Sequence, residues 1–513
     1  MKKLYITTPI YYVNAKPHIG HAYTTVACDV FARFNRMLGM DVKFTTGTDE
    51  HGKKVEQSAI KAGISPQGFT DSISKLFRDL LPVLNISNDD FIRTTESRHK
   101  KTVQHFWEKL KNAGYIYLGE YSGWYDMRNE AYFAEDELVD GKSPLGGEVQ
   151  YITEPCYFFK LSAFQNKLLD FYEKNPDFVY PTQRRNEMLS FIKQGLRDLA
   201  VSRTTFSWGI PVPDDPKHVV YVWLDALTNY LTLNGYPENE DQNNDEYWNN
   251  VIHFVGKEIV KFHAIYWVAF LMAVGIKPPK QVVSHGWWLS EGEKMSKSLG
   301  NVQDPYKYCK IFGSDALRYY LMREITFGSD GNFSLDSFIH RYNSVLANSY
   351  GNLCSRVLAF IVKYCNGNVY RPTVTSAEDE EFINSVNNCI GAIVPLVQNY
   401  NFSKYLEKIE QAITLANQYM DAKKPWTLKL DNSNRMQDVL FILTATIYKI
   451  TKYLYPVIPQ ATTLLMNQLH MSCDMQLSDA EALPETIHID SVTPLFPKID
   501  AKNIKRQDVC AKD

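Results

Sequence analysis

The chain has 513 residues, 45% hydrophobic and 22% charged, with a formal net charge of −3 and a pI of about 6.5. That length suits roughly three domains, and the composition is that of a globular protein able to bury a large core. Near-neutral charge excludes a protein that grips nucleic acid over its whole surface, while leaving room for a local basic patch that docks a folded RNA.

Met1-Lys2-Lys3 precedes only a brief apolar run, Leu4-Tyr5-Ile6, which reads as a first strand. A cleaved leader would remove Pro17-His18-Ile19-Gly20-His21, so none is expected. Ala22 through Leu38 reads as a helix. His18 and His21 are three apart at a strand-to-helix turn, so they share a face where backbone N–H groups favour an anion. Gly20 carries no side chain, and a flat base has room against its backbone. Alone, the pattern fits a nucleotide cradle or two surface histidines equally. Val42-Lys43-Phe44-Thr45-Thr46 reads as a second strand, leading into the polar loop Gly47-Thr48-Asp49-Glu50-His51-Gly52. Ligands of open α/β sheets bind at such carboxyl ends. Helical patterns follow at 53–62, 67–84 and 96–113. Residues 1–115 thus read as the first half of a doubly wound α/β domain.

Residues 116–217 change texture. Short aromatic segments around Tyr115–Tyr117, Ser122–Tyr125, Ala131–Phe133 and Tyr157–Phe159 alternate with turns, and 161–175 and 184–200 read as helices. Trp208–Pro213 reads as an extended link. A small mixed α/β insertion fits this pattern. Strands resume at Val219–Trp223, Ile252–Val255 and Gln281–Val283, so 218–290 reads as the second half of the split sheet. The polar stretch 234–248 reads as a solvated loop. Ala264–Ile276 is too short to span a bilayer and reads as a buried helix, and no membrane segment is expected.

Residues 291–345 form a linking region, and 346–513 read as a helical bundle with a mobile tail. Phe402, Leu406, Ile409, Ile413, Ala416 and Met420 step at helical spacing, as do Val439, Leu443, Ile447, Ile450 and Leu454 before Pro456 and Pro459. Within the link, Lys294-Met295-Ser296-Lys297-Ser298 places two lysines three apart among Gly and Ser. Such a loop suits a clamp on the β- and γ-phosphates of a nucleotide. Alone, it also fits a solvated basic turn.

His18-Ile19-Gly20-His21 and Lys294-Met295-Ser296-Lys297-Ser298, in that order, resemble the signatures of the class I aminoacyl-tRNA synthetases. Further stretches narrow the resemblance, over nearly the whole chain, to the methionyl members of that family. They are Thr8–Asn14, Gly47–Gly52, Tyr221–Ala226, Val255–Val260 with Phe262-His263, and Lys424-Pro425-Trp426. The resemblance implies a Rossmann-like catalytic domain split by a connective insertion and followed by a helical anticodon-binding domain. It implies activation of L-methionine by ATP with Mg2+, then transfer to the terminal adenosine of tRNA(Met), initiator tRNA included.

The site residues follow from the same resemblance. His18, His21, Lys294 and Lys297 would be catalytic. Gly20, Gly256, Glu258, His285, Gly286 and Met295 would join the two lysines in binding ATP. Asp49 would meet the methionine ammonium, and its carboxylate suits that partner. Ile10, Tyr12, Trp223, Ala226, Tyr230, Ile259, Phe262, His263 and Trp267 would wall the pocket, aromatic faces suiting a thioether. Asn352, Arg356 and Trp426 would read the anticodon, the tryptophan by stacking.

The chain departs from the family at three places. Tyr11 and Leu227 stand where some members carry proline. Many members hold a zinc knuckle in the insertion, whereas the eight cysteines here, at 28, 156, 309, 354, 365, 389, 473 and 510, include no Cys-x-x-Cys pair. No metal and no structural zinc are expected, and aromatic packing is expected to hold the insertion. A reduced cytoplasmic setting and a monomer are expected. Two other readings stay open at this point: a different class I synthetase, and a small-molecule nucleotidyltransferase sharing the His-x-Gly-His logic. About 100 residues are too few for the editing domain of the branched-chain enzymes.

Overall fold

Along Lys3–Thr7 the side chains alternate, Leu4 and Ile6 entering one buried cluster and Tyr5 the other. A strand covered on both faces requires this. In the computed structural model, which describes all residues except 128–130, 134, 291, 296–299, 432, 478–482, 501, 503, 505–508 and 510–513, this strand is central to a seven-stranded parallel sheet. Asp41–Asp49 pairs on one side of it and Val251–Gly256 on the other. Gln281–His285 and then Val179–Tyr180 extend the sheet beyond Val251–Gly256. Asp90–Arg93 and Tyr11–Tyr12 both pair with Asp41–Asp49.

The helix Ile19–Met37 joins the cluster that holds Leu4, Ile6, Phe44, Phe254 and Val283. Helices Ser97–Asn112, Val222–Leu233 and Trp267–Ala273 join the cluster that holds Tyr5, Val251, Val255 and Val282. Helices at Lys53–Ala62, Pro66–Val83 and Ser97–Asn112 stand where the apolar periodicity puts them.

Several sequence expectations are corrected. The second strand runs on to Asp49, because Asp90–Arg93 and Tyr11–Tyr12 both supply it with partners. Gly47, Thr48 and Asp49 are therefore strand rather than loop. Val219–Val220 does not rejoin the main sheet but pairs with Ser202–Arg203 in a separate antiparallel sheet. Val222 and Trp223 already belong to the helix Val222–Leu233. Conversely, Val179–Tyr180, from within 116–217, is an edge strand of the main sheet. The helix expected over 184–200 spans Thr182–Lys193. Gly195 breaks it at φ 100°, and Leu199–Ala200 pairs instead with Phe158–Phe159. The polar stretch 234–248 is not wholly solvated. Asn234, Tyr236 and Gln242 are buried, and the Asn234 amide donates to Gln242 Oε1 at 2.8 Å.

Residues between the halves of the sheet form a four-stranded antiparallel sheet. Its centre is the ladder of Ile116–Asp126 with Val149–Phe159. Aromatic contacts run along it: Tyr117 stacks on Phe158 at 5.6 Å, and Trp124 meets Tyr151 edge-on at 5.3 Å.

Beyond residue 300 the chain is mainly helical, with long helices Phe402–Lys423 and Ser433–Leu454. Gly331–Phe333 pairs back to Trp288–Ser290, and within the bundle expected over 346–513 the short ladder Asn368–Tyr370 with Thr486–His488 interrupts the all-helical texture. Leu335–Tyr364 is, among the described residues, the one helix long and apolar enough to cross a membrane by length and composition; half of its most apolar window is buried in this protein. Of the tail expected to be mobile, most lies outside the described residues. Val509 is buried, and its carbonyl accepts from the Asp304 N–H at 3.2 Å.

The helical region closes onto the first helix through a buried ion cluster. Asp29 Oδ2 accepts from Arg33 Nε at 2.8 Å and from Arg318 Nη2 at 2.6 Å. Asp29 Oδ1 accepts from the N–H and hydroxyl of Ser87. Arg318, with no exposed side-chain surface, also donates to the carbonyls of Leu84, Pro456 and Val457. Burial alone would raise the Asp29 carboxyl, but Arg318 and Arg33 outweigh it and hold it below the usual carboxylate range. Arg318→Met leaves buried carbonyls unsatisfied and Asp29 with one cation fewer. It should cost about 3–5 kcal/mol of unfolding free energy in urea titrations. A loss under about 1 kcal/mol would show the cluster to be incidental.

Candidate active site

The carboxyl ends of four adjacent parallel strands converge on one edge of the sheet. Lys3–Thr7 leads to the His18–His21 turn, Asp41–Asp49 ends at Asp49, Val251–Gly256 at Gly256, and Gln281–His285 at His285. Strand order reverses at Lys3–Thr7, and ligands of open α/β sheets bind in the crevice beside such a reversal.

His18 caps the helix Ile19–Met37. Its Nδ1 accepts from the Gly20 N–H at 3.0 Å, and the His18 N–H donates to His21 Nδ1 at 3.1 Å. This is a capping box built from imidazoles instead of Ser and Glu. Because both Nδ1 atoms accept, each neutral ring carries its proton on Nε2. Burial lowers His18 to about 4, and burial followed by the nearby His18 ring holds His21 well below the usual value. The ring centroids lie 3.9 Å apart, so two neutral Nε2–H donors stand side by side at a helix N-terminus. A Cβ at Gly20 would sit 2.8 Å from His18 Cε1. The flat ring over Gly20 is therefore His18's own, which corrects the expectation of open room for a base there. Tyr11, one of the departures, donates to the His21 carbonyl at 3.2 Å, lies 2.6 Å from Thr25 Oγ1 and stacks on Phe77.

Across the crevice, His285 Nδ1 donates to the Gly286 carbonyl at 2.8 Å, so its Nε2 accepts from the Thr24 hydroxyl at 2.7 Å. Thr24 lies one turn into the first helix, and this bond ties the two halves of the edge together. A Cβ at Gly286 would fall 2.3 Å from the Ser329 backbone, so only glycine lets the chains approach. Glu258 is exposed and accepts from Trp287 Nε1 at 2.7 Å. Its carboxylate lies over Gly256, where a Cβ would meet it at 2.6 Å. Lys257 pairs with Asp330 at 2.6 Å and lies over the Trp287 ring.

Asp49 is buried and stands opposite Tyr12 in the ladder. Its neighbour Glu50 is turned away into a bidentate pair with Arg93. Trp223 and Phe262 lie face to face at 3.6 Å, only 5° from parallel. Tyr230 donates to His263 Nε2 at 2.7 Å, while His263 Nδ1 donates to the Ile259 carbonyl at 2.9 Å. Burial lowers His263 to about 4, so it too is neutral. Ile10 and Ile259, both partly exposed, pack with this cluster, and Ala226 is buried. Trp267 is fully buried among Phe106, Tyr230 and Trp248, which makes it core rather than a free wall.

Lys294 ends a short strand paired with Trp288–Ser290, and Met295 packs on the main core. Lys297 lies outside the described residues. Asn352, Arg356 and Trp426 are far along the chain in the helical region. Arg356 lies over the Trp426 ring at 5.7 Å and pairs with Asp421 at 3.1 Å. Lys424 adopts φ 44° at the end of Phe402–Lys423, which turns the chain into Pro425-Trp426. Asn352 is exposed one turn before Arg356.

Sequence reasoning missed the frame behind Asp49. The fully buried Asp225 accepts from His51 Nδ1 and from His99 Nε2, both at 2.7 Å. Burial alone would raise Asp225, but His51 and His99 outweigh it and hold it down to about 2. Trp208 Nε1 donates to the Glu50 carbonyl at 2.6 Å, and its own carbonyl accepts from the Gly52 N–H. His51 and Asp225 both stand in stretches singled out from sequence, but their contact spans 174 positions and carries no local signal.

In the insertion, the buried Cys156 thiol lies 3.3 Å from the carbonyls of Ser202 and Tyr157. Among the described residues of the insertion, the donors around Cys156 do not make the four-ligand set a tetrahedral zinc ion needs.

The neutrality of His18 has a measurable consequence. Between about pH 6.5 and 4 the unfolded chain binds a proton at His18 that the folded chain does not, so stability falls as pH falls through that window. His18→Asn keeps a strong N-cap and removes the titration. Urea unfolding at pH 7.5 and 4.5 should show the variant losing about 2 kcal/mol less than the wild type; equal losses would contradict a neutral His18.

A sequence profile described as tRNA synthetases class I (M) matches residues 4–151 and 136–358. A methionine–tRNA ligase of Rickettsia felis is 50% identical over 477 residues, 92% of this chain and 93% of that protein. One from Caldanaerobacter subterraneus is 46% identical over 98% of this chain and 80% of its own length. The crystal structure of Mycobacterium tuberculosis methionyl-tRNA synthetase in complex with methionyl-adenylate superposes with a TM-score of 0.93 at 40% identity, covering 97% of this chain and all of that one. The apo form of that enzyme superposes at 0.86, with 36% identity, 98% of this chain and 99% of its own. By that sequence and structural likeness over nearly its whole length, the chain belongs to the methionyl branch of the class I tRNA synthetases.

Proposed function

We propose that this protein is a methionine–tRNA ligase that joins L-methionine to tRNA(Met), initiator tRNA included, at the expense of ATP. One observation carries the reading most: the paired neutral imidazoles and the aromatic pocket beside Asp49 converge on the same strand edge. The methionyl-adenylate complex of a 40% identical relative supports it.

In the first step the methionine carboxylate attacks the α-phosphate of ATP in line and pyrophosphate leaves. In the second, the 2′-hydroxyl of the tRNA's terminal adenosine attacks the adenylate carbonyl and AMP leaves. Neither step needs an enzyme nucleophile, so catalysis rests on position and charge. His18 and His21 donate from Nε2 to phosphate oxygens. Remaining neutral, they supply hydrogen bonds without a competing proton transfer. Lys294 and Lys297, aided by Met295, close over the β- and γ-phosphates as negative charge builds. Gly256 and Glu258 hold the ribose, and His285 and Gly286 border the adenine. Mg2+ enters with ATP as part of the substrate.

Asp49 pairs with the methionine ammonium. Tyr12, Ile10, Trp223, Ala226, Tyr230, Ile259, Phe262 and His263 surround the side chain, with Trp267 backing Tyr230. The Tyr230–His263–Ile259 chain of hydrogen bonds occupies its polar atoms, so the wall offers a thioether a polarisable surface. Residues 1–115 and 218–290 form the catalytic domain, 116–217 the connective insertion, 291–345 the phosphate loop and link, and 346–513 the anticodon-binding domain. The insertion holds no zinc and is bound by its aromatic ladder. The protein is cytoplasmic and monomeric and acts away from membranes.

His21→Ala should slow methionine-dependent exchange of pyrophosphate into ATP by about 100-fold while methionine binding, read by tryptophan fluorescence, stays within twofold. Loss of methionine binding with normal exchange would reverse the assignment. Absence of exchange with methionine in the wild type, or equal exchange with leucine, isoleucine, valine or cysteine, would refute the ligase reading itself.

Trp426→Ala should raise the KM for tRNA(Met) about 10-fold or more, the value of one lost base stack, and leave pyrophosphate exchange unchanged. An unchanged KM would remove Trp426 from anticodon reading.

A further inference from the structure

We propose that His470, His488 and Asp490 form a divalent-cation site of zinc type in the helical region, remote in sequence from every residue assigned to methionine, ATP or the anticodon. His470 follows the helix Pro459–Gln468, and His488 ends the strand Thr486–His488. Ile487 and Ile489 are each 1% exposed, while His488 and Asp490 are exposed. Alternation along the strand therefore sets both chemical groups outward together. One carboxylate bridges the two rings: His470 Nε2 lies 2.8 Å from Asp490 Oδ2, and His488 Nε2 lies 2.8 Å from Asp490 Oδ1. The ligand atoms of all three lie within 4.8 Å of one another.

A second observation points to a metal. His488 Nδ1 is held by Asn368 Oδ1 at 2.9 Å, and Asn368 is the ladder partner of His488. An oxygen acceptor on Nδ1 fixes the ring and leaves Nε2 as the ligating nitrogen, which is how metal-bound histidines are usually oriented. A cation would take the place of the two hydrogen bonds between the Nε2 atoms and the carboxylate. Two imidazoles and a carboxylate suit zinc, with water in the fourth position. Mg2+ prefers an all-oxygen shell and should not compete. The exposed position leaves entry open. Bound metal would clip the chain after Gln468 to the strand Thr486–His488. The same stretch anchors to the first helix, since the Leu477 N–H donates to the Met37 carbonyl at 2.7 Å.

The spacing hides this site from a motif search, because the ligands come from a helix end and a strand end. Cys473 is exposed three residues after His470, but its thiol faces Asn467 Oδ1 at 3.5 Å, so it serves as a control.

The test is calorimetric titration of Zn2+ into the untagged full-length chain after EDTA treatment and dialysis, with thermal melts in parallel. The wild type should take up one equivalent at this site and melt higher with zinc than without. His488→Ala and Asp490→Asn should each weaken that equivalent by about 10-fold or more, and Asn368→Ala by about 10-fold through the lost orientation. Cys473→Ser and millimolar Mg2+ should change nothing. No uptake by the wild type, equal uptake by the double variant His470→Ala/His488→Ala, or loss of uptake in Cys473→Ser alone would overturn the proposal. Far-UV circular dichroism verifies that each variant is folded. Asp490→Asn, nearly isosteric, tests the ligand without creating a gap.

Discussion

The whole arrangement depends on the first helix being held from inside by one buried carboxylate. Asp29 binds Arg33 on its own helix and Arg318 on a helix nearly 300 residues away, and Arg318 in turn caps the carbonyls that end Ser433–Leu454. A buried charge is tolerable only when its partners are complete, and here they come from both the sheet domain and the helical region. The N-terminus of that same helix carries His18 and His21. One helix thus joins the Asp29 cluster to the histidine turn.

At that N-terminus the chemistry follows from desolvation more than from charge. The two Nδ1 atoms accept from the Gly20 and His18 N–H groups, which leaves only Nε2–H on each ring as a donor. Burial keeps them neutral across the physiological range. A cationic pair would bind an anion harder in its ground state. A neutral, oriented pair costs little to bring together and acts where charge develops. Tyr11 and Phe77 brace the His21 ring, which gives a physical role to a residue that departs from the proline of some relatives.

The aromatic side of the edge is held by a second buried carboxylate. Asp225 clamps His51 and His99, and so links the end of Asp41–Asp49 to the helix that carries Trp223, Ala226 and Tyr230. Asp49 and the aromatic wall thus share one frame. His263, like the turn histidines, is kept neutral by burial, but both of its nitrogens are hydrogen-bonded.

Much was legible in residue order. A short apolar run placed the first strand and helical spacing of apolar residues placed the helices that follow it, because burial on one or two faces imposes its pattern on the chain. The two signature stretches and the Pro-Trp turn were visible because their chemistry is local. What sequence could not decide was partnership. Val219–Val220 is as β-branched as any core strand, yet it pairs outside the main sheet, while the two residues Val179–Tyr180 join it. Strand assignment depends on which backbone groups lie alongside, and that is a tertiary fact. The same holds for the Asp29 and Asp225 clusters and for the ring over Gly20. Each is a contact between residues whose separation in sequence or whose side-chain direction no local pattern records. The sequence by itself determined the family and which chemical groups stand in its signature stretches. The tertiary structure decided their protonation and their mutual orientation, because both are set by what is buried beside them.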